Sequence, residues 1–255
     1  MADKIKISII GAGNIGGATA LGLSGSAEVT ATARTEETLK RLQGKGIRTT
    51  TDNRDAVKGA DIIIFAVKPW LMEGVVSELL PCIDTASQTI VSMAPGVSSE
   101  DFLRWLGPGA RLAYAIPNTA IEVRESMTFI APVTTDEKTT RELVELFSCA
   151  GKALEVPQRL LLAGTSLASC GIAYALRYIH AAAQGGVELG FFADEAAEIV
   201  AQTVKGAAAL LDAHASHPEA EIDKVTTPGG LTIRGLNAME AAGFTNAVIR
   251  GLKAN

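Results

Sequence analysis

Cysteine is scarce in this sequence: three in 255 residues, Cys82, Cys149 and Cys170, far apart and odd in number. That excludes a disulfide framework and a CxxC metal site, and it fits a reducing, cytoplasmic location. Histidine is as rare, also three. His214 and His217 lie in DAHASHPEAE, which reads as a helix end and turn with surface roles, so no metal site is expected. Aromatics make up only 5%, which leaves the core to Ala, Val, Ile and Leu. No run of Lys or Arg occurs and the formal net charge is −5, arguing against a nucleic-acid partner. The first apolar run, Ile7 to Ile10 around Ser8, is too short for a signal peptide and leads straight into glycines. One uncharged stretch, Leu160 to Leu176, approaches transmembrane length, but it holds Gly164, Thr165, Ser166, Ser169 and Gly171. A helix apolar all round belongs to a protein core or a membrane. Here burial in protein is expected, and no membrane partner.

What is present is 47% hydrophobic residues, 20% charged residues and 25 glycines, a globular composition. KIKISII, EVTATA, DIIIFAV, QTIVSM and RLAYAI read as strands, and a short one is expected at Lys152–Val156. Most are apolar throughout, as in parallel sheets covered on both faces. Between them lie helical patterns at Ile15–Leu23, Glu36–Leu42, Leu71–Leu80, Glu100–Trp105 and Glu137–Phe147. Such alternation predicts βαβ units and a doubly wound sheet. After Pro157 the strand signal stops. Ala-rich helices are expected over about 160–189 and 193–215, with shorter ones before Val225 and after Thr232. The boundary is set at Val156–Pro157, giving domains 1–157 and 158–255. A helical domain of that size does not need so apolar a first helix for itself. A homo-oligomer interface explains it, because obligate interfaces resemble a core cut in half. A homodimer or higher assembly through the C-terminal helices is expected.

KIKISIIGAGNIGGATALGL places Gly11, Gly13 and Gly16 between a strand and a helix. These are the positions for a tight turn, close approach of a diphosphate, and helix–strand packing. Gly11, Gly13, Asn14, Ile15 and Gly16 are the candidate phosphate-binding residues, through N–H groups at a helix start. The fold class is therefore α/β: an N-terminal Rossmann-type doubly wound sheet followed by an all-α C-terminal oligomerisation domain. The second strand is followed by Arg34 and Thr35 rather than by the acidic residue of NAD sites. Guanidinium and hydroxyl groups suit a 2′-phosphate. NADP(H) is the expected cofactor, with NAD(H) the alternative.

Further segments carry a family resemblance. AVKPW holds Val67, Lys68 and Pro69; SMAPGVS is followed by AIPNTAIEVRESMT; and DKVTTPGGLTIRGLNAME stands near the end. Together these resemble the motifs of the Δ1-pyrroline-5-carboxylate reductases, the last enzymes of proline synthesis, from Lys6 to about Gly243. There are departures. The family's NTP is here NTA, ending at Ala120; its EGMT is ESMT, with Ser126; its SGSGPAY is ASCGIAY, Ala168–Tyr174. Its TSPGGTT is TTPGGLT, with Thr227 and Leu231, and His180 stands where an acid is common.

The resemblance implies reduction of a small cyclic imine bearing a carboxylate. Ala66, Val67, Lys68 and Pro69 would line the cofactor cleft, Ala94 and Gly96 would keep backbone close to the nicotinamide, and Asn53 would contact the adenine ribose. Asn53 read alone is equally an N-cap before Asp55. Asn118 and Thr119 follow a strand at its C-terminal edge and could fix the nicotinamide end. Pro228, Gly229 and Gly230 form a loop with a helix starting near Leu231 or Thr232, whose free N–H groups suit a carboxylate. Thr227, Gly229, Gly230, Leu231 and Thr232 are the candidate substrate-binding residues, and by resemblance Thr232 lies near the imine nitrogen. A plain N-capping role is the alternative for Thr227 and Thr232. Thr232 and Lys68 are the candidate catalytic residues, Lys68 more as a hydrogen-bond donor than as a proton donor. An imine is protonated readily from solvent, so the absence of a His–Asp pair is no obstacle. Two other functions compete. A 3-hydroxyacid dehydrogenase would use a lysine on the first long helix, and Leu160–Leu189 has none. A non-catalytic NADP-sensing regulator would have no need of the second anion loop.

Overall fold

The computed structural model describes residues 4–254. They form two compact units, one ending at Ser169 and the other beginning at Cys170.

The first unit is built on β1 (Lys6–Ile10), β2 (Glu28–Thr32), β3 (Arg48–Thr50), β4 (Ile62–Phe65), β5 (Thr89–Ser92), β6 (Arg111–Ile116), β7 (Ser126–Pro132) and β8 (Gly151–Glu155). The helices between them are α1 (Asn14–Leu23), α2 (Glu36–Leu39), α3 (Asn53–Ala56), α4 (Met72–Leu79), α5 (Ser99–Leu106) and α6 (Glu137–Ser148). One eight-stranded sheet runs in the order β3-β2-β1-β4-β5-β6-β7-β8. The first six strands are parallel, in the order of the doubly wound dinucleotide-binding sheets. β4 shows why such strands are apolar throughout. Ile62 and Ile64 pack on the face that carries Leu23, Leu143 and Phe147, whereas Ile63 and Phe65 pack on the face that carries Val57, Met72, Val76 and Phe102. The starts of α5 and α6 are capped by side chains: Ser98 accepts from the Asp101 N–H and Asp136 from the Thr139 N–H. Each such cap is worth about 1 kcal/mol. The Thr139 N–H bond holds the Asp136 carboxyl below its ordinary pKa.

Two strands are absent from the sequence reading. β3 is a three-residue polar edge strand with no hydrophobic signal. β7 pairs antiparallel with β6, and β8 then runs parallel to β7. Residues 117–125 alone join β6 to β7. That is too short for a parallel crossover, which takes a dozen residues or more, so the chain can only turn back. The expected doubly wound sheet thus carries a two-strand extension of opposite direction.

Leading into the second unit are α7 (Leu161–Gly164) and a π-helical stretch, Thr165–Cys170. The unit itself holds α8 (Gly171–Glu188), α9 (Ala193–His214), α10 (Pro218–Lys224), α11 (Leu231–Ala241) and α12 (Phe244–Leu252). α8 and α9 cross closely, since a Cβ on Gly186 would lie 2.9 Å from the Ala196 Cβ. Ala183 is the buried residue of α8, and Ala196 that of α9. The continuous helix over Gln158–Glu188 is long and apolar enough to cross a membrane, yet only 6% of its most apolar window is buried. The expectation that this helix is buried in protein is not met within one chain. Leu162 and Leu167 remain 66% and 64% exposed.

Candidate active site

β1 delivers the chain into the glycine-rich turn at the C-terminal edge of the sheet. Gly11 has φ +101, and a Cβ there would lie 2.8 Å from Val67 Cγ1 and 3.1 Å from the backbone of Ala66. A Cβ on Gly16 would fall 2.1 Å from the Gly11 carbonyl oxygen. These two glycines serve packing. Gly13 differs: a Cβ there would meet nothing within 4 Å, so the space over this peptide is open. The first intrahelical bond of α1 runs from the Gly17 N–H to the Gly13 carbonyl at 2.8 Å. The N–H groups of Asn14, Ile15 and Gly16 precede it and have no intrahelical acceptor. The first turn of α1 carries no acidic side chain. A diphosphate fits this arrangement of open backbone and free donors.

The other candidates follow the C-terminal ends of the remaining parallel strands, where open α/β sheets bind ligands. The Gly11 N–H donates to Thr32 Oγ1 at 3.3 Å, and Thr32 Oγ1 donates to Asn53 Oδ1 at 2.7 Å. The buried Thr32 thereby ties Asn53 to the glycine turn, a link that sequence did not reveal. Asn53 is not the N-cap of α3. Asp52 is, accepting from the Arg54 and Asp55 N–H groups at 2.9 and 3.3 Å. Asp52 stands one residue earlier, where the backbone is extended, while Asn53 is already the first helical residue, so the capping alternative for Asn53 falls. Arg34 and Thr35 are exposed beyond β2, and the Thr35 hydroxyl accepts from the Thr38 N–H to cap α2. Ala66 donates its N–H to the Ile10 carbonyl at 2.9 Å, and Val67 packs beneath Gly11. Lys68 is exposed, and Pro69 opens a short 3-10 turn.

After β5, Ala94 is buried and bonded to Ser92 Oγ, while Gly96 is exposed with open space around it. Tyr114 closes this loop from below: its hydroxyl donates to the Val97 carbonyl at 2.6 Å. Burial, with Glu100 and Asp101 nearby, pushes its phenol up to about 12. Asn118 is buried, and its side chain is engaged at both ends. Oδ1 accepts from the Ala120 N–H at 3.0 Å and Nδ2 donates to the Ala168 carbonyl at 3.4 Å. Ser169 Oγ donates to the Pro117 carbonyl at 3.4 Å. Ala168 and Ser169 of the π-helical stretch Thr165–Cys170 are thus fastened to the PNTA turn. Ser126, where the resembling family has glycine, accepts the Asn118 N–H at 3.2 Å and so anchors the same turn.

The Thr227–Thr232 loop belongs to the second unit. Gly229 has φ +69, and the Gly230 N–H donates to the Thr227 carbonyl at 2.9 Å. α11 begins at Leu231 with Gly230 as N-cap and no side-chain cap. Thr227 and Thr232 therefore do not cap this helix, because the extended Gly230 occupies that position and Thr232 lies inside the first turn. Leu231 is 83% exposed. Arg234, which sequence reading passed over, donates from Nη2 to the Gly229 carbonyl at 3.0 Å and from Nε to the Gly230 carbonyl at 3.3 Å.

A doubly wound sheet with a glycine turn open at its switch point, followed by a helical domain with a second glycine turn, defines a dinucleotide-dependent oxidoreductase. Residues 158–255 match the family model described as pyrroline-5-carboxylate reductase dimerisation, and residues 6–96 match that of NADP oxidoreductase, coenzyme F420-dependent. Pyrroline-5-carboxylate reductase 1 of Dictyostelium discoideum is 38% identical over 96% of this chain, which spans 48% of that relative. The pyrroline-5-carboxylate reductase of Methanosarcina acetivorans is 38% identical over 97% of this chain and 96% of its own. Among solved structures, a pyrroline-5-carboxylate reductase from Coxiella burnetii superposes with TM-score 0.88 at 26% identity, covering 99% of this chain and 96% of that one. The chain belongs to the pyrroline-5-carboxylate reductase family, and its C-terminal region is the family's dimerisation domain.

Proposed function

We propose that this protein reduces 1-pyrroline-5-carboxylate to L-proline with NADPH, the closing step of proline biosynthesis. The observation that carries this reading is the pair of glycine turns entering helices, one at the switch point of a parallel sheet and one in the helical unit. Together with membership of the family, they provide for two anions, a diphosphate and a carboxylate. The match to an NADP oxidoreductase model over residues 6–96 supports NADP(H), with NAD(H) the weaker partner. The nicotinamide, when bound, supplies the hydride. Gly11, Gly13, Asn14, Ile15 and Gly16 hold the diphosphate, and the exposed Arg34 and Thr35 take the 2′-phosphate. Asn53 takes a ribose hydroxyl. Residues 66–69, Ala94, Gly96 and Asn118 shape the nicotinamide end.

The carboxylate of the imine is held by the first-turn N–H groups of α11 and the hydroxyls of Thr227 and Thr232. Thr232 orients the imine nitrogen, and solvent supplies its proton. Lys68 donates hydrogen bonds at the cleft. Orientation of this kind supplies much of a reduction rate when the acceptor is already protonated. In this reading 1–157 serves the cofactor, and 158–255 serves substrate and assembly.

The exposed apolar face of the Gln158–Glu188 helix is the contact between copies of this chain. Neither a membrane nor nucleic acid is a partner, and the three free cysteines suit the cytoplasm. NADPH oxidation with the imine tests the activity, and no turnover would reject it. A stable 26.5 kDa monomer in sedimentation at micromolar concentration would reject the assembly.

A further inference from the structure

Arg41 has no place in the reading so far. It lies in the 3-10 turn Lys40–Leu42 that follows α2. Its Nη2 nevertheless stands 3.4, 2.5 and 3.5 Å from the carbonyl oxygens of Ala12, Gly13 and Asn14, three consecutive peptides of the glycine turn. A trans peptide is planar, with its N–H directed opposite to its C=O. The planes of those three carbonyls carry the N–H groups of Gly13, Asn14 and Ile15. Holding the carbonyls on one guanidinium turns these donors away from it, toward the open side of the turn. A cation at the carbonyl end also polarises each peptide and strengthens its N–H as a donor.

A sequence feature left unexplained falls into place here. Gly16 is followed by a second glycine, Gly17, which the dinucleotide pattern does not require. A Cβ on Gly17 would lie 1.9 Å from Arg41 Nη2. The bare Cα of Gly17 is the gap through which the guanidinium reaches the turn.

We propose that Arg41 is a positioning residue for the cofactor diphosphate, acting through the backbone of the glycine turn. The proposal rests on the reading of that turn as the NADPH site. The test uses the full chain with Arg41→Ala, Gly17→Ala and the double variant. Gly17→Ala keeps the cation but fills its place, and alanine favours the helix, so folding is preserved. NADPH dissociation constants by fluorescence titration are measured beside KM for NADPH, KM for the imine, and kcat. Each single variant is expected to weaken NADPH about tenfold, the loss of one charge-assisted hydrogen bond. At saturating NADPH, kcat and the imine KM stay at wild-type values. The double variant is no weaker than the weaker single, because both changes remove the same contact. A purely structural role would instead lower the active fraction and leave KM for NADPH unmoved, and that result overturns the proposal, as do fully additive losses. Unchanged NADPH affinity in both singles, with wild-type binding intact, overturns this proposal alone. A wild-type protein that binds no NADPH overturns the cofactor reading and this proposal with it.

Discussion

The two glycine turns both lead into helices but stand in opposite surroundings. The Gly11–Gly16 turn is wedged into the sheet, with Gly11 against Ala66 and Val67 and Gly16 against Gly11 itself. The Thr227–Thr232 loop stands exposed, with Leu231 83% accessible and no side-chain cap on its helix. In both, an arginine donates to carbonyls of the turn: Arg41 from a separate element, Arg234 from four or five residues along its own chain. The first turn is held by tertiary packing, and a side chain added at Gly11 or Gly16 would meet fixed backbone. The second is held by local bonds, from the Gly230 N–H to Thr227 and from Arg234 to Gly229 and Gly230.

That contrast orders the expected effects of substitution. The largest is Gly16→Ala, whose Cβ would collide with the fixed Gly11 carbonyl 2.1 Å away. Overpacking of this kind costs about 1–3 kcal/mol. A fall in the unfolding midpoint together with loss of NADPH binding is expected, and a protein of unchanged stability would dissolve the contrast. Next is Thr232→Ala. Loss of one hydroxyl bond to a charged group is expected to lower kcat/KM for the imine about 10- to 150-fold, with NADPH affinity and stability unchanged. Loss of NADPH binding instead would reverse the assignment of the two turns.

On the proposed role of Arg34 toward the 2′-phosphate, Arg34→Ala is expected to weaken NADPH about tenfold while NADH, which lacks that phosphate, binds as before. Equal losses for both cofactors would remove Arg34 from the site. The smallest effect is expected of Arg234→Ala. Its bonds are exposed and helical geometry already orients the same peptides, so the KM for the imine should rise about two- to fivefold, the scale of a single exposed hydrogen bond. A loss as large as that of Arg41→Ala would show that the second turn also depends on its arginine.

Much of the first unit was legible in residue order. The strands β1, β2, β4, β5 and β6 are runs of apolar residues, and helical patterns lie between them. Both glycine turns were legible because their chemistry is local: glycine, then a helix start. The β7 strand was not, because its first residues, SMT, were read as the end of a motif and its pairing depends on how little chain separates it from β6. Ser126 looked like drift from the family pattern. Its value lies in a hydrogen bond to Asn118, which adjacency in sequence does not disclose.

Sequence by itself determined where the parallel strands run, where two glycine turns lead into helices, and that one long helix is too apolar to stand alone. Those properties follow from the backbone preferences and side-chain polarity of neighbouring residues. Tertiary structure alone decided that Arg41 reaches back to the carbonyls of Ala12, Gly13 and Asn14 and that Thr32 joins Asn53 to the turn. It also decided that the apolar helix stays uncovered within its own chain. Each of these depends on residues brought together from distant parts of the chain, and no local pattern records such a meeting.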